Sequence, residues 1–114
     1  MSNKKPDIVF ILCDQWNARY LGCAGHTQIN TPHIDELASK GCIFDMAYTP
    51  SPVCMPARVS LASGLYPHSH GFLNNYTEKL FPVSQVTLFH CLQDTGYKTA
   101  KIGKYHYFHL EWGQ

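Results

Sequence analysis

Residues 7–15 read DIVFILCDQ, and the fold class turns on them. From Ile8 to Cys13 the run is apolar without a break. A short continuous apolar run rich in Ile and Val suits a central parallel strand, because helices cover both of its faces. A strand with one wet face would alternate instead. The run passes directly into Asp14-Gln15-Trp16, so polar groups stand at its carboxyl end. In open α/β sheets that edge is where ligands bind. The residues before it, MSNKKP, carry charge as a leader peptide would. The apolar run is too short for one, however, and no small-residue cleavage site follows. The expectation is a buried strand entered at once from the start of a cytoplasmic protein.

The rest of the chain alternates in the same spirit. Thr31-Pro32 supplies an N-cap and a first-turn proline, and the helix HIDELASK runs from there to Gly41. Ile34, Leu37 and Ala38 give it one apolar face. Residues 42–48, CIFDMAY, read as a second strand and Pro50 to Pro52 as a loop. Pro56 to Ser63 reads as a helix closed by Gly64. A turn-rich stretch covers Tyr66 to Ser84. A third helix covers Thr87 to Thr95 and ends at Gly96, and Lys98 to Ile102 is a short strand leading into Gly103-Lys104. Strands alternating with helices predict an α/β fold.

The chain has 114 residues, of which 45% are hydrophobic and 15% charged, which is a globular composition and not a disordered one. A formal net charge of +1 offers no electrostatic footprint for nucleic acid or a membrane surface. No apolar run approaches the ~20 residues of a membrane helix. Five cysteines, an odd number without a metal-type CxxC pair, argue against a disulfide framework and for a reducing compartment.

Three local groupings carry chemistry. In CMPAR, Cys54 and Arg58 lie one helical turn apart and share a face. A thiol in the first turn of a helix also faces free N–H groups and the positive end of the dipole. Five residues match by chance easily, so in isolation a buried small cysteine and a surface arginine are the favoured reading. Asp14-Gln15 offers two hard oxygen donors for a cation, although such a pair is more often a turn or a cap. Gly103-Lys104-Tyr105-His106 ends another strand, with Lys104 as a point charge for an anion and His106 as a proton donor. Surface solvation is the plain alternative for both. Of the seven histidines, His33 and His90 are the first to be read as structural, and His68, His70 and His109 stay open.

Together these describe a hard-metal, anion-binding site at the carboxyl edge of a parallel sheet, and their order resembles the N-terminal part of a sulfatase. PVCMPARVSLASG (52–64) resembles the first sulfatase signature with its CxPxR core intact. Met55 replaces the usual small residue there, and Ala62-Ser63 the commoner Leu-Thr. GYKTAKIGKYH (96–106) matches the second signature at every constrained position. DIVFILCDQ, LGCAG (21–25), TPHIDELA (31–38) and YPHSHG (66–71) resemble the family in order. The resemblance covers nearly the whole chain.

It implies an alkaline-phosphatase-like three-layer α/β sandwich with a mostly parallel central sheet, of which residues 1–114 would be the incomplete N-terminal part. By the same resemblance Cys54 is converted to formylglycine by a sulfatase-maturing enzyme that reads the segment before it folds. The aldehyde hydrates, and one of its oxygens, held on a divalent metal, attacks sulfur and expels the alcohol. Asp14, Gln15 and Cys54 would hold the metal, Ca²⁺ in the first place with Mg²⁺ or Mn²⁺ as alternatives. Arg58 and Lys104 would hold the formylglycine and the developing charge, and His106 would contact its hydroxyl or the substrate. The substrate implied is a small-molecule or carbohydrate sulfate ester, with no nucleic acid and no membrane as partner.

Gln15 departs from the pattern: many sulfatases carry a second aspartate there. The Asp-Gln pair also resembles family branches that hydrolyse phosphonate monoesters and phosphodiesters, which is the alternative activity. A non-catalytic binding module that kept the fold is a third reading. The family's remaining metal ligands, and a further Lys and His near the leaving group, come later than Gln114. The expectation is therefore a fragment with little activity of its own and much exposed apolar surface, ending in the aromatic run YHYFHLEW.

Overall fold

A computed structural model describes residues 5–77, 79, 81–82, 84–104 and 106. The chain divides into two compact units, Met1–Met46 and Ala47–Gln114.

In the first unit, residues 5–13 are extended and end in a bend at Asp14-Gln15. Short 3-10 turns follow at Ala18–Tyr20 and Gly22–Ala24, then helix α1, Pro32–Lys40. Helix α1 begins where its proline predicts, but Thr31 does not cap it through its side chain. The Thr31 hydroxyl instead accepts the Gly22 N–H at 2.8 Å and donates to Asp35 Oδ1 at 3.0 Å. The same Asp35 oxygen accepts the Cys23 N–H at 2.7 Å. One carboxylate in the first turn of α1 thus holds the preceding turn against the helix. A Cβ at residue 22 would run into that carboxylate, which is why the position is glycine. The Glu36–Lys40 pair on α1 is exposed on both sides and adds little to stability.

The second unit is built around helix α2, Cys54–Ser63. Val59 and Ala62 on α2 pack with Phe72 and Phe81 into the buried core, and Met55 and Phe89 lie against it. Helix α3, Pro67–His70, and helix α4, Leu88–Asp94, both pack on α2. The helix expected from Pro56 starts two residues earlier. Pro56 sits at the third helical position, where an N–H has no carbonyl four residues back inside the helix, so its missing donor costs nothing. Gly64 ends α2 in the left-handed conformation (φ 71°), its N–H bonded to the Ser60 carbonyl. At α4 the Thr87 N–H donates to Nδ1 of His90 at 3.1 Å, so His90 is part of the helix start.

His70 joins the two halves of this core. It is buried, its Nδ1 accepts the Phe72 N–H at 3.1 Å, and its Nε2 lies 2.9 Å from Ser60 Oγ on α2. With Nδ1 occupied as an acceptor, Nε2 carries the proton and donates to Ser60. Burial pushes the His70 pKa down, and the nearby Lys79 charge adds to this. The ring is therefore held neutral. The Lys79 ammonium donates to the His70 carbonyl at 2.9 Å and lies over the Phe72 ring.

The expected sheet is not formed among the described residues. The three segments read as strands, 7–13, 42–48 and 98–102, are without strand pairing there. Val9 and Ile11 are 83% and 80% exposed, and Ile102 is 98% exposed. A parallel strand owes its hydrogen bonds to neighbours and its burial to helices on both faces. Residues 7–13 have the composition for such cover on both sides and receive it on neither. The aromatic run 105–112 lies outside the described residues except for His106. All five cysteines are free. No helix among the described residues is long and apolar enough to cross a membrane.

Candidate functional site

Cys54 is the first residue of α2 and is half-buried. The residue before it, Val53, is extended (φ −106°, ψ 138°) and offers no side-chain cap. The loop secures the start of the helix instead. Ser51 Oγ accepts the Val53 N–H at 3.3 Å, and Asn75 Oδ1 accepts the Met55 N–H at 2.9 Å. The first helical bond runs from Ala57 N–H to the Val53 carbonyl, 3.0 Å.

Arg58, one turn on, is only 8% exposed. Its Nη1 donates to the Lys104 carbonyl at 2.9 Å, a link across 46 positions of sequence. That bond ties the Gly103-Lys104 turn to the helix that opens with Cys54. Gly103 makes the turn possible at φ 98°, where a Cβ would be strained. The structure thus ties the backbone at Lys104 to the helix that opens with Cys54 and carries Arg58.

A third cation belongs to it that sequence reasoning missed. Lys101 is half-buried, and its pKa falls from an ordinary 10.5 to about 8, first through burial and then through the Arg58 charge. Lys101 falls at an unconstrained position of the 96–106 motif, so nothing in the sequence marked it. Because the folded value is depressed, the unfolded chain binds more protons between about pH 8 and 10.5. The charged form's penalty is complete below pH 8 and is relieved as pH rises through that window. We expect denaturant midpoints to increase from pH 7.5 to 9.5, and Lys101→Met to abolish the increase. A midpoint equally flat in both proteins would contradict a buried Lys101 beside Arg58.

His106 is held at φ 57°, and its Nδ1 is buried without a hydrogen-bond partner among the described residues. An orphaned buried nitrogen in a left-handed histidine is costly unless something else uses it. Among the described residues, Gln15 is the other non-glycine residue with positive φ, at 54°. The two strained residues are therefore both ones that the sequence singles out. Asp14 and Gln15 stand together at the end of the extended 7–13 segment, in the first unit.

Hard oxygens of this kind suit Ca²⁺ or Mg²⁺, which take six or more such ligands. Asp14 and Gln15 fit as part of such a shell. No group of three or more His, Cys, Asp or Glu side chains that could hold a metal is gathered among the described residues.

Residues 6–114 match the family model described as Sulfatase. The chain is 42% identical over 103 residues to an ulvan-active sulfatase of Formosa agariphila, covering 90% of this chain and 20% of that protein. It is 35% identical to an N-acetylgalactosamine-6-O-sulfatase of Bacteroides thetaiotaomicron, covering 92% and 21% respectively. Among solved structures it resembles a 2-O GAG sulfatase with a TM-score of 0.85 and 37% identity, over 90% of this chain and 23% of that one. The chain thus spans about a fifth of the length of the relatives it matches.

Proposed function

The chain belongs to the sulfatase family, and from that premise we propose that the protein it represents hydrolyses sulfate esters with a nucleophile made from Cys54. The observation that carries this reading is the buried Arg58, fixed to the Lys104 carbonyl one helical turn from Cys54. A guanidinium fixed in this way is a placed positive charge that can meet an anion. Arg58 orients the group at residue 54 and meets the negative charge that grows on the sulfuryl oxygens. Lys104 would add a point charge for the anion, and the open Nδ1 of His106 is the candidate for holding or passing a proton at the nucleophile or the leaving oxygen.

Formylglycine at residue 54 would supply an oxygen nucleophile that can later release sulfate by collapsing back to the aldehyde, which a plain thiol or hydroxyl cannot do. Asp14 and Gln15 would hold a divalent metal, Ca²⁺ in the first place, which lowers the pKa of a bound oxygen and neutralises anionic charge. The relatives' names, ulvan-active sulfatase and N-acetylgalactosamine-6-O-sulfatase among them, favour a sulfated carbohydrate as substrate.

A second reading rests on Gln15. An amide in place of a second carboxylate removes one negative charge from the metal's surroundings, and phosphonate monoesters or phosphodiesters would suit that change. Hydrolysis of matched aryl sulfates and aryl phosphonates separates the two. We expect sulfate turnover to exceed phosphonate turnover by kcat/KM. Phosphonate turnover higher by orders of magnitude would reverse the assignment.

A further inference from the structure

The hydrogen bond between Met55 and Asn75 has a meaning beyond helix stability. The first turn of α2 has few donors to satisfy. Pro56 has no N–H, and the Met55 N–H goes to Asn75 Oδ1. Among the described residues, the N–H of Cys54 itself is then the first-turn donor left without a partner. Asn75 belongs to the turn-rich stretch, outside every motif that the sequence singles out. It does from a remote loop what the residue at the N-cap, Val53, has no side-chain group to do.

Resting on the sulfate-ester reading above, we propose that Asn75 is a positioning residue for the nucleophile: an uncharged acceptor that fixes the first turn of α2 and leaves the Cys54 N–H open toward the anionic substrate. The choice of amide over acid supports this. Aspartate caps helices as well as asparagine does, and its charge is favoured at a helix N-terminus. Beside a site that takes a sulfate ester, the same charge would repel the substrate. Asparagine provides the acceptor without the charge. Met55 also packs against the core through its side chain, so both ends of that residue are held.

The test compares Asn75→Ala and Asn75→Asp with the parent protein, each normalised to the fraction of residue 54 converted, read by mass. An aryl sulfate serves as substrate and inorganic sulfate as inhibitor. Asn75→Ala is expected to lower kcat by about tenfold with KM little changed, the size of a lost cap expressed at the reacting group. Asn75→Asp is expected to melt at or above the parent temperature and to recover kcat. It should also raise KM and the inhibition constant of sulfate by about tenfold through like-charge repulsion.

An active parent whose Asn75→Ala form keeps parental kcat overturns the inference, as does an Asn75→Asp form with parental KM and sulfate inhibition. Should Asn75→Ala fail to fold, the Asn75→Asp constants decide alone. A parent protein, fully converted, that hydrolyses no sulfate ester overturns the functional reading, and this inference falls with it.

Discussion

Cys54→Ala is expected to lower sulfate-ester turnover by on the order of 10⁴-fold or more, with little change in thermal stability. Cys54 is half-buried at the first position of α2, and among the described residues its side chain takes part in no hydrogen bond. Alanine is well tolerated at such a position, so the folded state loses a single sulfur atom at the helix edge. The reaction loses its nucleophile. Assaying kcat alongside the melting temperature separates the two effects. Turnover within tenfold of the parent would mean that residue 54 is a packing cysteine, which is how its sequence environment reads in isolation.

The second large effect is expected at Arg58. Arg58→Met removes a buried charge and frees the Lys104 carbonyl that its Nη1 engages at 2.9 Å. A loss of 10²- to 10³-fold in kcat/KM, roughly 3–4 kcal/mol, is the usual scale for deleting one donor aimed at developing charge. Arg58→Lys should fall between Met and the parent, because it restores charge without the planar fork. An independent readout accompanies it. The Arg58 charge helps hold the Lys101 pKa near 8, so Arg58→Met should raise that value and shift the pH dependence of stability upward. Parental kcat/KM in Arg58→Met would return this residue to a structural role.

What the sequence made legible follows from range. Helices α1, α2 and α4 announce themselves through local signals: Pro32 and Gly41, the glycine at 64, Thr87 with Gly96 behind it. Helix α3 reads from sequence as part of a turn-rich stretch, although Pro67 at its start and Gly71 (φ 77°) at its end bracket it. Four residues are too few to show a period of their own. The strand expectations rest on composition alone. A strand's hydrogen bonds come from elsewhere in the chain, so residues 7–13 can have the right composition and still lie unpaired.

The candidate site divides along the same line. The Cys54–Arg58 spacing is one helical turn and is visible in five letters. The bond from Arg58 to the Lys104 carbonyl, the cap supplied by Asn75, and the depressed Lys101 all depend on segments brought together from 20 to 46 positions apart. Nothing in the local pattern reports them. Asn75 in particular looks like one more turn residue in NNY until its partner is seen at the helix start. Gln15 and His106 show the reverse: local motifs marked them, and the backbone then places both in the left-handed region.

The most direct measurement is the mass of the tryptic peptide from Gly41 to Arg58, taken from the protein as made in its own host. The account predicts residue 54 as an aldehyde, lighter than cysteine by the exchange of its thiol for a carbonyl oxygen, with the hydrate beside it. An unmodified thiol at residue 54, in protein that nonetheless hydrolyses sulfate esters, would contradict it.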